Sequence, residues 1–501
     1  MPNISNADND IVVGFKKEEE IIIAQLTHGS KEREVVLISG MGGLGKTTLA
    51  RRVYEGKKIF NHFDKRAWCT VSQEYDCKDL LDKIYSQVYG SEIKMGSSSV
   101  VEGVCGSEIK MGSSSVAENL RKSLMGMRYL IVLDDIWSLE AWEELNRVFP
   151  PCDNGSRIVL TSRQESVVSD AKHIHLPFFT IDESWELLQM KLFKGKGCPE
   201  ELENVGREIS KICGGLPLTV GLMAGLLEKV EKNEQMWCEF LFPLYSYVTF
   251  RDGIQSNDVI ALSYKYLSDH LKPCLLYFAA FPEDEVIQVS KLIKLWISEG
   301  FIIGMTEKGR VEDEAEDYLN DLVCSNLIMV SEKEYDGHIL SCRVHDLVCD
   351  FCLTKAREDI SLEVINMEKK WDQTLNFTPH RICFHMHGTS NIASELVPWN
   401  SSIHTVLVFH SYEHSYNFSW IAKKFEHLTV LDLEAISVYQ SILSEVNSLI
   451  HLRYLALKLH RDEDDHADDV SPLSLGNLKC LITLELRSYQ EHFPIFFFEY
   501  E

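Results

Sequence analysis

Hydrophobic residues in the first 170 positions come in short unbroken runs separated by stretches of helical spacing. Val35-Val36-Leu37-Ile38, Leu130-Ile131-Val132-Leu133 and Ile158-Val159-Leu160 are consecutive apolar residues, as expected of strands buried on both faces in a parallel sheet covered by helices. Another strand is expected over Lys65 to Val71, and helices over Glu18 to Leu26, Leu80 to Val88 and Ala117 to Leu124. Beyond residue 176 helical periodicity takes over: 180 to 193 and 200 to 228 read as helices, broken at Cys213-Gly-Gly-Leu-Pro-Leu218, where Pro217 fixes a rigid turn at a helix start. Asp258 to Phe281 reads as a helix pair, and Val289, Leu292, Ile293, Trp296 and Ile297 repeat the i, i+3, i+4, i+7 pattern. Val344-His345-Asp346-Leu347 falls inside another apolar helical pattern. From about residue 400, Leu428-x-x-Leu431-x-Leu433, Leu449-x-x-Leu452-x-x-Leu455-x-Leu457 and Leu478-x-x-Leu481-x-x-Leu484-x-Leu486 recur at solenoid-like intervals and predict leucine-rich repeats.

A chain of 501 residues exceeds what one core supports, so several domains are expected. The formal net charge of −26 argues against broad nucleic-acid or membrane-surface binding, which favours basic faces. The first ten residues lack the basic and apolar regions of a signal peptide. Apolar runs such as Cys274 to Phe281 fall short of the roughly 20 residues a membrane helix needs. The cysteines, including Cys69, Cys213, Cys274, Cys324 and Cys349, lie in apolar stretches without framework spacing, which suits buried reduced thiols. One segment stands apart: Gly90 to Val100 is repeated letter for letter at Gly106 to Val116. Its Gly/Ser-rich composition cannot bury a face and predicts a mobile loop over 90–116.

The turn after the first apolar run carries the strongest chemistry. Gly40, Gly45, Lys46 and Thr47 fit G-x-x-x-x-G-K-[ST], with the preceding strand and following helix that this motif requires. Along Gly40, Met41, Gly42, Gly43, Leu44, Gly45, Lys46, Thr47 and Thr48, backbone N–H groups and the positive end of the new helix are expected to face phosphates. Lys46 would reach the β- and γ-phosphates, and the Thr47 hydroxyl would take one Mg2+ position. Asp134 and Asp135 end the second run, at the sheet edge where open α/β sheets bind ligands. Asp134 is expected to hold Mg2+ opposite Thr47, and Asp135 to position or deprotonate an attacking water. Two acids after a strand can also cap the next helix; the upstream phosphate loop favours the metal. Arg163, closing Gly155-Ser-Arg-Ile-Val-Leu-Thr-Ser-Arg, is expected to sense a γ-phosphate.

Taken in order, Gly-Met-Gly-Gly-Leu-Gly-Lys-Thr-Thr (40–48), Leu-Asp-Asp-Ile-Trp (133–137), the Ser-Arg-Ile strand (155–163), Gly-Leu-Pro-Leu (215–218), Leu-Tyr-Phe-Ala-Ala-Phe-Pro-Glu-Asp (276–284) and Val-His-Asp (344–346) resemble the plant nucleotide-binding, leucine-rich-repeat disease-resistance proteins of NB-ARC type. The likeness covers about residues 10 to 350, and within that family it is greatest to the nightshade late blight resistance homologues. Trp137 resembles the subclass that carries an N-terminal coiled coil. The resemblance implies a multidomain fold: an α/β P-loop NTPase domain (1–175), a helical domain (176–245), a winged-helix domain (246–365) and a partial leucine-rich-repeat solenoid (366–501). It implies an intracellular, cytoplasmic immune receptor, at most peripheral at membranes, that is closed with ADP and opened by ATP into a signalling oligomer. Perception of a pathogen effector or a guarded host protein would then trigger defence and hypersensitive cell death. ATP hydrolysis would be slow, as part of the switch, with Mg2+ as cofactor and no direct binding of nucleic acid. By the same resemblance His345 would touch the ADP β-phosphate, Pro217 would line the adenine pocket, and the Ile11–Gly14 turn with Val13 would touch the adenine.

Some features depart from that pattern. Barely ten residues precede the nucleotide domain where the family has its coiled coil, Val344 stands for the usual methionine, and aromatic Phe493 to Tyr500 occupies the place of a polar capping repeat. With the duplicated loop, these make a truncated member the expectation, and a signalling-dead adaptor or decoy the alternative. A turnover ATPase lacks a separate nucleophile–base constellation. A nucleic-acid-reading winged helix would have Lys291 and Lys294 as the only basic residues in its best helix. Cys383, His385 and His387 alternate onto one strand face, but without a second ligand pair they predict no zinc site.

Overall fold

The computed structural model describes residues 13–71, 75–95, 113–164, 167–168, 170–250, 256–302, 310–366, 379–386, 402–410, 415–416, 420–439, 442–460 and 475–488. Two compact units divide at Leu262/Ser263. The first opens with α1 (Lys16–His28), β1 (Glu34–Ser39), α2 (Lys46–Glu55), α3 (Lys57–His62) and β2 (Lys65–Thr70). It continues through α4 (Cys77–Met95), α5 (Ser113–Leu124), β3 (Tyr129–Asp134), α6 (Leu139–Asn146), β4 (Arg157–Ser162) and β5 (Lys172–His175). The five strands are parallel in the order β2-β3-β4-β1-β5. β3 and β4 are buried along their whole length, as unbroken apolar runs require. Leu37, Ile131, Leu133, Ile158 and Leu160 pack against Leu80, Ile84 and Val88 of α4 and Leu120 and Leu124 of α5. Order matters for the chemistry: β4 lies between the strand that feeds the phosphate loop and the strand that ends in two acids.

Expectation and structure differ at the duplicated segment. Gly90–Met95 of the first copy continues α4, and Ser113–Val116 of the second opens α5; the expected loop therefore loses both flanks, and 96–112 lies outside the described residues. A helix needs only its backbone bonds and neighbouring turns, so a weakly apolar sequence can extend one already packed. The edge strand β5 was not expected, because Lys172-His-Ile-His carries one apolar residue.

The rest of this unit is helical: α7 (Ile181–Phe193), α8 (Glu200–Ile212), α9 (Pro217–Glu228) and α10 (Glu234–Phe250), followed by α11 (Ser256–Tyr266), which crosses into the second unit. α7 begins with a capping box, Thr180 accepting from the Glu183 N–H while Glu183 reaches back. α9, from Thr219 to Leu227, is buried all round, consistent with its uniformly apolar sequence.

The second unit begins with α12 (Leu271–Leu276), β6 (Ile287–Gln288), α13 (Val289–Glu299), α14 (Val311–Cys324), β7 (Ile328–Lys333), β8 (Ile339–Val344) and α15 (Asp346–Glu358). β6, β8 and β7 form a three-stranded antiparallel sheet. The Val-His-Asp segment is therefore not inside a helix. β8 ends at Val344, and His345 is the N-cap of α15, its Nδ1 accepting from the Leu347 N–H at 3.2 Å. Cys69, Cys213, Cys274 and Cys349 are buried as expected, but Cys324 in the last turn of α14 is exposed.

A parallel sheet follows: β9 (Leu362–Asn366), β10 (Arg381–Met386), β11 (Thr405–His410), β12 (Ser415–Tyr416), α16 (Trp420–Lys424), β13 (Val430–Tyr439), α17 (Ile442–Val446), β14 (Tyr454–His460) and β15 (Thr483–Ser488). The main path runs β9 to β15 in chain order, with β12 beside β13. Register partners Arg381, Thr405, Val430, Tyr454 and Thr483 rise by 24, 25, 24 and 29 residues, a solenoid spacing. The repeat sheet thus starts at Leu362, earlier than the leucine pattern indicates. Alternate residues Leu431, Leu433, Leu455 and Leu457 enter one core with Phe384, Val406 and Val408. The opposite face carries Cys383, His385, Asp432 and Glu434, and α13 lies across it. Lys291 pairs with Asp432 at 2.7 Å and Glu434 at 3.1 Å, and Lys294 with Glu485 at 2.7 Å. Glu299 takes Arg381 at 2.8 Å and the Thr405 hydroxyl at 2.7 Å. His385 Nε2 lies 2.8 Å from the Ala280 carbonyl; His387 is outside the described residues.

Candidate nucleotide site

β1 runs out at Ser39, the loop 40–45 turns, and α2 starts at Lys46. Gly43 and Gly45 have φ of +77° and +94°, backbone that other residues adopt only with strain. A Cβ on Gly43 would also lie 2.9 Å from Leu218 Cβ. That closeness reflects a tie: the Leu218 N–H donates to the Gly43 carbonyl at 3.2 Å. Pro217 opens α9 beside it, so the Gly-Leu-Pro-Leu turn is fastened to the phosphate loop.

Lys46 is only 7% exposed, and its Nζ donates to the carbonyls of Gly40 at 2.9 Å and Met41 at 3.0 Å. Burial pulls its pKa down to about 8; Arg163 adds to the fall, while Asp135 and Asp134 oppose it. An anionic phosphate would restore the charge by direct attraction. The sign follows from proton count. Below about pH 8 the lysine is already charged, whereas above it binding must take up a proton. Nucleotide affinity is therefore expected to fall by up to about tenfold per pH unit above pH 8. Titration of binding from pH 7 to 9.5 checks this, and Lys46→Met should flatten the profile.

Across the loop, the Thr47 hydroxyl donates to Asp134 Oδ1 at 2.9 Å, and the Thr161 hydroxyl donates to the same oxygen at 2.6 Å. Thr161 Oγ1 also accepts from the Asp135 N–H at 2.8 Å. Asp134 is 3% exposed, so the sheet holds a buried carboxylate against the first turn of α2. Asp135 takes a left-handed backbone, φ +59°. Burial pushes its carboxyl upward, Arg163 and Lys46 oppose that, and Asp134 adds to it. Thr47 and Asp134 form an all-oxygen pair at hydrogen-bond distance, a donor set that suits Mg2+ completed by water and phosphate. Arg163 leaves the end of β4 with its guanidinium carbon 4.5 Å above the Trp137 ring. Thr48 faces outward in α2, and Met41 is 57% exposed at the loop tip.

On the other flank Val13 is buried and the chain turns at Gly14 and Phe15, whose φ values are +76° and +54°. The Phe15 and Phe179 rings sit 4.9 Å apart, and a Cβ on Gly45 would meet Phe15 at 3.6 Å. Phe15 and Phe179 form an apolar wall beside the phosphate loop, of the kind a purine stacks on. Sequence analysis assigns no site role to Phe15, Phe179, Leu218 or Thr161; the two phenylalanines belong to no motif, whereas Leu218 closes Gly-Leu-Pro-Leu and Thr161 lies in the Ser-Arg-Ile strand. His345 lies in the second unit, at the head of α15, its Nδ1 close against the Asp346 carboxylate.

Residues 15–198 match the NB-ARC domain family profile and residues 280–352 the disease resistance protein winged helix domain. The chain thus carries an NB-ARC domain, of nucleotide-binding P-loop type, and a winged helix domain of the disease-resistance type. A late blight resistance protein homolog of Solanum demissum is 38% identical over 496 residues, 96% of this chain and 35% of the relative. The late blight resistance protein R1-A of the same species is 36% identical over 499 residues, 96% of this chain and 36% of that one. The chain therefore spans about a third of the length of these relatives. Among solved structures, a signal transduction ATPase with numerous domains from Pyrococcus horikoshii, with a tetratricopeptide repeat sensor, aligns at TM-score 0.42 and 17% identity, covering 70% of this chain and 44% of that one. Among the described residues no helix is long and apolar enough to cross a membrane.

Proposed function

We propose that this chain is the nucleotide-switch portion of a plant immune receptor, held off by ADP and activated by exchange for ATP. The observation that carries the reading is the bond from Leu218 to Gly43, which couples the start of a domain-building helix to the loop that grips phosphate. In this reading Lys46 neutralises the β- and γ-phosphates, and Thr47 and Asp134 hold Mg2+, which would screen phosphate charge. Asp135 orients water for slow hydrolysis, and Arg163 senses the γ-phosphate. Val13 and Pro217 border the adenine, and His345 contributes to the ADP-held state from the winged helix. Driving a two-state equilibrium from 1:99 to 99:1 takes about 5.5 kcal/mol of differential binding, while one charge-assisted contact supplies about 1.5–3 kcal/mol. The switch is accordingly shared among several residues.

An effector or guarded host protein, self-association and cell death are the expected downstream partners and outcome. A DNA-reading winged helix is not favoured, since Lys291 and Lys294 are both ion-paired with the repeat sheet. The test is the nucleotide carried by purified protein: about one ADP per chain and turnover far below one per minute are expected. Absence of nucleotide, or fast multiple turnover, removes the switch.

A further inference from the structure

The strand that ends in Asp134 and Asp135 continues into Ile136-Trp137, and this continuation is bonded to β4. The Ile136 N–H donates to the Thr161 carbonyl at 2.8 Å, the Asp135 N–H donates to Thr161 Oγ1 at 2.8 Å, and the Ser162 hydroxyl donates to the Ile136 carbonyl at 2.7 Å. Three cross-strand bonds thus fix the residues immediately before Trp137 against those immediately before Arg163. The two side chains leave this clamp facing one another, with the guanidinium carbon 4.5 Å from the ring centroid. Trp137 is half-buried, and its Nε1 has no hydrogen-bond partner among the described residues. What the indole supplies here is its face rather than its polar edge.

We infer that Trp137 is a positioning and specificity-determining residue: its indole is a shelf that holds the Arg163 guanidinium beside the end of β4, and so sets how strongly the site prefers a triphosphate to a diphosphate. The inference rests on the proposed role of Arg163. A long arginine side chain loses considerable rotamer freedom when fixed in one pose, and a planar cation stacked on an aromatic face has lost part of it before ligand arrives. Without the shelf the guanidinium regains that rotamer freedom, which must be lost again when a γ-phosphate binds.

The test uses the full chain and measures ATP and ADP dissociation constants in parallel, with Mg2+ present. Trp137→Leu keeps apolar bulk and removes the π-face, whereas Trp137→Phe keeps a face and removes the unpartnered N–H. Trp137→Leu is expected to lower the ATP-to-ADP affinity ratio by about three- to tenfold with ADP affinity and melting temperature essentially unchanged, and Trp137→Phe to restore most of the ratio. A ratio unchanged in Trp137→Leu, or equal losses for both nucleotides, overturns the shelf. Arg163→Ala separates the two levels. If it leaves the ratio unchanged, the sensor reading falls and the shelf with it; if it lowers the ratio while Trp137→Leu does not, only the shelf falls. Should Trp137→Leu fold poorly, Trp137→Phe and Trp137→Tyr compared with wild type decide, since aromatic variants that lose the ratio also count against it.

Discussion

Lys46→Met is expected to lower affinity for both ATP and ADP by about ten- to a hundredfold while leaving the nucleotide-free protein as stable as before, or more so. The two effects have opposite signs for one reason. With phosphate bound, the ammonium makes a charge-assisted contact of about 1.5–3 kcal/mol. Without it, the charge sits 7% exposed, its Nζ donating to two loop carbonyls, and the pull of Asp135 and Asp134 does not offset its burial. A lysine whose pKa falls from 10.5 to about 8 costs the folded state on the order of 3 kcal/mol at pH 7. That cost is fully present below pH 8 and fades as pH rises toward 10.5. Methionine keeps most of the apolar stem and removes the cost, offset by two lost hydrogen bonds. Nucleotide titration and thermal unfolding in nucleotide-free buffer give both numbers. Binding within about threefold of wild type would sink the phosphate-loop assignment, and a clear drop in nucleotide-free melting temperature would sink the account of the buried cation.

Lys291→Met is expected to destabilise the second unit by about 3–5 kcal/mol, the usual cost of leaving a buried charge without its partner. Asp432 is 2% exposed, and its other hydrogen bond comes from the Glu434 N–H at 3.1 Å. Burial holds the Asp432 carboxyl above the usual carboxylate range even with Lys291 opposing. For Lys291 burial acts downward, but Asp432 and Glu434 outweigh it and raise its pKa. Removing the lysine raises the aspartate further, so the variant should regain stability as pH falls and Asp432 protonates. Lys291→Met combined with Asp432→Asn should recover most of the loss, because the asparagine oxygen can still accept from Glu434 without carrying charge. Urea midpoints at pH 7 and pH 5 for the three proteins measure this. A double variant no better than the single one would place the damage in packing rather than in the ion pair.

How far these features were legible in the sequence depended on whether a residue's task left a pattern. Three strands of the nucleotide sheet, β1, β3 and β4, announce themselves because burial on both faces demands consecutive apolar residues, whereas β2, Lys-Arg-Ala-Trp-Cys-Thr, alternates in burial. β5, an edge strand of alternating character, does not announce itself. Lys46, Thr47 and Asp134 were visible because the phosphate and metal chemistry proposed for them goes with set residue types in a recurring strand–loop–helix context. Phe15 and Phe179 stack beside the phosphate loop although far apart in the chain, and nothing local distinguishes them from core phenylalanines. Thr161 reads as one more β-branched strand residue; only the fold brings its hydroxyl to Asp134. His345 was misread as helical because the apolar spacing of β8 and α15 runs through it without a break, although a capping residue between strand and helix is an ordinary reason for a polar side chain there. The solenoid's first strands, Leu-Glu-Val-Ile-Asn and Arg-Ile-Cys-Phe-His-Met, share the leucine repeats' geometry with few of their leucines.

The position of α13 across the repeat sheet has a thermodynamic consequence for anything that reads those strands. Asp432, Glu434 and Glu485 are already neutralised by lysines from the same chain. A cationic visitor to that face must displace a tethered competitor, and intramolecular tethering commonly corresponds to millimolar local concentration. Only the excess of its own contacts over those of Lys291 and Lys294 would register as affinity.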